Sequence, residues 1–147
     1  SPNLNYETTV NFSEGQALIW SIISDVDHYK DFKRNIISID SEEYYNDQVS
    51  AWRENYPYDI SVNYTILTKY NPDTLILQIK NNFTGMDTRL SFNLSVGDNN
   101  TNVNIKEEST INNVFFRGLK VLSGKESYVN AQIKWIRVGL YNYYIKK

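Results

Sequence analysis

Between residues 36 and 111 the chain is a succession of strand-like stretches separated only by short turn-forming breaks. No other feature so narrows what it can fold into. The stretches are 36–45, 48–56, 59–70, 74–80, 83–96 and 102–111. The breaks are Asn46-Asp47, Pro57, Asn71-Pro72-Asp73, Asn81-Asn82 and Gly97-Asp98-Asn99-Asn100, residue types that start or tolerate tight turns. A parallel pair of strands needs a crossover of about a dozen residues or more, which none of these breaks provides. Consecutive strands must therefore be antiparallel neighbours, and the sheet a meander.

Two flanking patterns complete the architecture. Tyr6, Thr8, Val10 and Phe12 alternate with Glu7, Thr9 and Asn11, the period of a half-buried strand. Ser13-Glu-Gly-Gln16 has capping-box spacing, predicting a helix whose apolar face is Ala17, Trp20 and Ile23, with Ile19 on its flank. Asp25-Val26-Asp27 turns the chain into a second short helix over 27–34, with Tyr29 and Phe32 inward and Lys30, Lys33 and Arg34 left to water. After a lead-in over 114–122, which Gly118 and Ser123-Gly124 interrupt, Val129, Ile133, Ile136, Leu140 and Tyr144 recur at the spacing of one helical face. Opposite them lie Ala131, Trp135, Val138 and Ile145. That second stripe is either covered within the molecule or marks a partner or membrane contact, and the exposure of Trp135 distinguishes the two.

Length and composition remove whole classes of function. At 147 residues one domain spanning 1–147 is expected, large enough to fold without a metal or disulfide. The 15 basic and 17 acidic residues are dispersed, so no stripe is available to track phosphates and no nucleic-acid partner is expected. The absence of cysteine excludes thiolate nucleophiles and cysteine-bearing metal sites, and a lone His28 cannot make a two-histidine one. Neither a metal nor a cofactor is expected. No apolar run reaches the roughly 18–20 residues of a membrane span. The first residue is Ser1, so a removed leader or anchor stays open; the cytoplasm is the default location. Five Asn-X-Ser/Thr triplets, from Asn11, Asn63, Asn82, Asn93 and Asn99, are assigned no function in so asparagine-rich a chain.

Strand parity then says what looks inward. Ile60, Val62, Tyr64, Ile66 and Tyr70 share one face of their strand, and Met86, Thr88, Leu90, Phe92, Leu94 and Val96 share one of theirs. The same count turns Trp52, Glu54 and Tyr56 inward together, and Val103, Ile105, Glu107, Ser109 and Ile111 likewise. A carboxylate facing an apolar interior costs several kcal/mol unless it has a partner, a wet cavity or a task. Strand faces at i, i+2 and the helix face at i, i+3, i+7 must meet, being the large apolar surfaces of the chain. A cavity is predicted between them, lined by Trp52, Tyr56, Tyr64, Met86, Thr88, Ile105, Ser109, Ile133, Ile136 and Leu140, with Glu54 and Glu107 as its polar groups.

The order strand, two short helices, six strands and a long helix resembles the START/polyketide-cyclase superfamily. The most specific part of the likeness is Ala17-Leu18-Ile19-Trp20-Ser21-Ile22-Ile23-Ser24-Asp25-Val26-Asp27-His28-Tyr29-Lys30-Asp31-Phe32, leading into Ile36-Ile37-Ser38. The resemblance implies an α+β helix-grip fold: a seven-stranded curved antiparallel sheet wrapped around a long C-terminal helix, with two short helices after the first strand. It also implies a hydrophobic small molecule as partner, gripped between sheet and helix, since members of that superfamily hold sterols, lipids, quinones or polyketide intermediates. Between the second and third strands the plant-allergen branch has a glycine-rich loop. Here Tyr44-Tyr45-Asn46-Asp47-Gln48 stands in its place and sets this chain apart from that branch.

Three functions are compatible with these readings. The first is a binding or carrier module for a lipid-like or aromatic molecule. The second is a cyclase- or dehydratase-type enzyme with Glu54 or Glu107 as general acid or base. The third is a protein-interaction module whose partner the sequence does not name. No catalytic residue is assigned.

Overall fold

A computed structural model describes the backbone of residues 4–123 and 125–146, and their side chains except at 118, 120–123 and 125–128. The strands are β1 (Leu4–Phe12), β2 (Ser38–Tyr45), β3 (Gln48–Tyr56), β4 (Ile60–Tyr70), β5 (Thr74–Asn81), β6 (Met86–Val96) and β7 (Thr101–Ile111). The helices are α1 (Gln16–Ile23), α2 (Tyr29–Phe32, after a 3-10 turn at Val26–His28), α3 (Val114–Ser123) and α4 (Lys125–Ile145). All seven strands form one antiparallel sheet in the order β1-β7-β6-β5-β4-β3-β2. The six consecutive strands make the expected meander, and α1 and α2 carry the chain from one edge of the sheet to the other.

The turns follow the residues that permit them. Asn46 and Asp47 both adopt positive φ (50° and 62°), the geometry of a two-residue hairpin turn. Asn99 (62°) and Gly85 (69°) serve the turns on either side of β6. Bulges interrupt β2 near Glu43 and β4 between Ile66 and Thr68, adding local bend and twist.

The β4 bulge corrects one expectation. Before it, Val62 and Tyr64 face inward as parity requires; after it, Lys69 pairs with inward Leu75 and Tyr70 with Thr74. Tyr70 is thus turned outward and is 65% exposed. Val96, counted with the inward face of β6, is exposed at the strand's end. The capping box is not formed either. Gly15 occupies the cap position of α1 without a side-chain bond, while Ser13 bonds Glu14. Gln16 reaches across to Asp73 Oδ1 at 2.8 Å and the Pro72 carbonyl at 3.3 Å, fastening α1 to the β4–β5 turn instead of capping it.

Helix α4 crosses the concave face with its apolar side rotated from the expected one. Val129, Trp135, Ile136, Gly139 and Leu140 are buried, Ile133 is half-buried, and Tyr144 is exposed. Trp135 points at the sheet, 6.0 Å between ring centres from Phe92, and against Tyr29 of α2 at 5.2 Å. Sheet and α2 therefore cover it. Gly139 permits this approach: a Cβ there would lie 2.5 Å from Ile22 Cγ2 of α1. The lead-in is helical as α3, though the expected break at Gly124 lies outside the described residues. No described helix is long and apolar enough to cross a membrane.

Candidate functional site

Glu54 is the centre of a buried polar cluster at the end of the sheet that α2 closes. Its side chain is wholly buried on β3, where alternation with Arg53 and Asn55 turns it to the concave face. Every oxygen lone pair it brings inside must be met there. Oε2 accepts from Trp52 Nε1 and from Lys33 Nζ, each at 3.0 Å; Oε1 accepts from the Tyr56 hydroxyl at 2.6 Å.

Lys33 supplies the opposite charge, which corrects the expectation that it lies in water. Just past the C-terminus of α2 the backbone turns extended, and the side chain, 12% exposed, enters the interior. Its ammonium sits 4.2 Å from the ring centre of Tyr29, 4.7 Å from Tyr64 and 5.2 Å from Trp135. A desolvated contact of this kind contributes about 2 kcal/mol or more. Trp52 braces the group from behind, stacked on Tyr64 at 5.1 Å and edge-on to Tyr29 at 5.8 Å. Tyr29, fully buried, donates its hydroxyl to the Ile23 carbonyl and thereby ties α1 to α2.

Three phenols are held neutral by this environment. Burial first, and the Glu54 charge second, push Tyr29, Tyr56 and Tyr64 well above the usual phenol value. The folded state thus retains protons that the unfolded chain releases above about pH 10. The stability this confers is whole below pH 10 and is lost as pH rises beyond it. In a spectrophotometric titration at 295 nm, these three of the 12 tyrosines are expected to ionise only as the near-ultraviolet circular dichroism collapses. Ionisation of all 12 with that signal intact would contradict the burial described.

Beside the cluster opens a cavity of about 570 Å³, walled by Phe32, Lys33 and Arg34 from α2 and its exit, Tyr56 and Tyr64 from the sheet, and Ala131, Gln132, Trp135 and Val138 from α4, with Asp31 and Lys134 at its rim. A larger cleft of about 820 Å³ lies between α1, the β2–β3 hairpin and the β4–β5 turn. It is walled by Trp20, Val26, Tyr44 and Val49 together with eight polar or charged residues, Ser21, Ser24, Asp25, Asp27, Asp47, Gln48, Lys69 and Asn71, so that polar groups dominate its lining. The smaller cavity, continuous with the buried cluster, is the candidate site.

Of the residues expected to line a cavity, Tyr56 and Tyr64 do so here. Trp52, Ile105, Ile136 and Leu140 are packed in the core, with Ile133 against it. Glu54 stands directly behind the cavity wall. Thr88 and Ser109 are buried and hydrogen-bonded to one another at 2.7 Å across β6 and β7; Glu107 is buried on β7, and Met86 begins β6. These four lie two to six residue pairs along the sheet from Phe92, which meets Trp135, and do not line the described cavity.

Lys33, Gln132 and Trp135 were not foreseen as site residues. The inward carboxylate of Glu54 was the available signal, since it demanded a cation, but sequence spacing did not say which. His28 is at the surface, paired with Asp25 at 2.8 Å, and Asp25 first of all raises its pKa. Among the described residues no cluster of His, Asp or Glu is arranged to hold a metal ion.

No family model matches the chain, and no curated protein matches it in sequence. Solved structures do. The Zhui aromatase/cyclase of Streptomyces sp. R1128 aligns over 96% of this chain and 93% of its own, with a TM-score of 0.73 at 11% identity. A START superfamily protein from Mycobacterium smegmatis aligns over 90% and 93%, with 0.72 at 16% identity. Truncated norcoclaurine synthase from Thalictrum flavum aligns over 92% and 91%, with 0.70 at 11% identity. At such identities the likeness concerns the fold, which is the START-like, polyketide-cyclase-like helix-grip fold.

Proposed function

We propose that this helix-grip chain binds or carries a hydrophobic small molecule with an aromatic or lipid-like body, seated in the 570 Å³ cavity between α2, α4 and strands β3 and β4. The observation that supports it most is the wall itself: Phe32, Tyr64, Trp135 and Val138 present apolar surface, while a few polar groups are fixed at one end. A structure of norcoclaurine synthase with the same fold was determined in complex with dopamine and hydroxybenzaldehyde, both aromatic.

The alternative, a cyclase- or dehydratase-type enzyme, draws on the convergence of Lys33, Glu54 and Tyr56 within hydrogen-bond reach. Binding is favoured because both oxygens of Glu54 are engaged and the carboxylate meets the cavity only through its partners. The test is extraction of purified protein for mass spectrometry, with titration of the neutral probe N-phenyl-1-naphthylamine. Ala131 is an exposed helix residue on the wall. Ala131→Trp is expected to leave the melting temperature nearly unchanged and to abolish probe uptake. Absence of both a co-purifying molecule and probe binding would refute the proposal.

A further inference from the structure

Resting on that reading of the cavity, the geometry points to an acid as its ligand: an apolar body carrying a carboxylate or similar anionic oxygen group, received by Lys33 and Gln132. The argument is an inventory of donors and acceptors. An ammonium has three N–H donors, and Lys33 uses one of them on Glu54. Lys33 lines the cavity and Glu54 does not, so this ion pair turns its positive end toward the ligand.

Gln132 extends the same bias. Its Oε1 accepts from Trp135 Nε1 at 2.7 Å. An indole N–H can only donate, which fixes the amide oxygen on the tryptophan and leaves the NH₂ group, with no hydrogen bond to another described residue, for the cavity. The Tyr56 hydroxyl proton is already given to Glu54, whose oxygens are all engaged. The N–H groups of the wall left for a ligand are thus on Lys33 and Gln132, one from the exit of α2 and one from α4, with the Tyr64 hydroxyl beside them able to donate as well. Arg34 and Lys134 against Asp31 leave the rim with one positive charge in excess. A charged acceptor meeting such donors in a partly dry site gains more than a neutral one.

The experiment compares two probes of one aromatic framework, anionic 8-anilinonaphthalene-1-sulfonate and neutral N-phenyl-1-naphthylamine, by fluorescence titration, with Ala131→Trp defining signal from this cavity. The anion is expected to bind about tenfold more tightly or better, the ratio a charge-assisted hydrogen bond gives. Glu54→Gln removes the carboxylate that competes for Lys33, and should tighten the anion further while leaving the neutral probe unchanged. A merely structural Glu54 would produce no such gain. The double variant Lys33→Met with Glu54→Gln, which strands no buried charge, should lose the preference. Equal affinities in the wild type, or a preference surviving in the double variant, overturn this inference alone. Failure of both probes to bind overturns the cavity reading and this inference with it.

Discussion

Lys33→Met is expected to lower the unfolding free energy by about 3–5 kcal/mol in urea denaturation, the usual cost of stranding a buried charge. The carboxylate of Glu54 is fully buried and would keep only the Trp52 and Tyr56 hydrogen bonds. Glu54→Gln should cost less, because the ammonium left behind reaches the cavity and the amide oxygen can still accept from it. The double variant, carrying no charge at either position, should recover most of the stability lost in Lys33→Met. If Lys33→Met proved as mild as a surface substitution, within about 0.5 kcal/mol, the ion pair would not exist as described.

Trp52→Ala should be similarly severe, about 3–5 kcal/mol, for a different reason. Trp52 is fully buried beneath Tyr64 and beside Tyr29, so truncation opens a cavity that the surrounding sheet cannot close. Its Nε1 is also one of the three donors to Glu54. Trp52→Phe separates the two contributions: it fills most of the volume and removes only the charge-assisted hydrogen bond, worth about 1.5–3 kcal/mol. A Phe variant as unstable as the Ala variant would place the whole effect on the hydrogen bond rather than on packing.

Both substitutions act at one junction, where α2, β3 and α4 meet. Their effects on ligand binding should differ from their effects on stability. Trp52 does not line the cavity, so its loss alters the wall only through Tyr64, whereas Lys33 is itself part of the wall.

The arrangement of the sheet was legible in the residues because strand alternation and turn chemistry are local. The direction of each side chain from a strand follows from its own backbone, so Glu54 and Glu107 could be turned inward by counting alone. Asn46-Asp47 could be read as a hairpin because the positive φ it needs is a property of those residues. The helix-grip resemblance, carried by the order of elements and the motif over 17–32, likewise agrees with the observed topology.

What the sequence left open depends on what stands opposite. The bulge at Leu67 reverses parity for Tyr70, and it answers the fit of β4 to β5, not any residue in β4 alone. Gln16 has the spacing to cap α1 but finds Asp73, distant in sequence, within reach. The buried face of α4 is turned toward Trp135 because Tyr29 and Phe92 offer it aromatic surface, which a helical wheel of α4 cannot contain. Lys33 is the clearest instance. On its own short helix it reads as solvated; an uncompensated carboxylate 21 residues away draws it inside. Periodicity fixes where side chains point, whereas the energies of desolvation and pairing, which exist only once the elements are assembled, decide which charges are buried together.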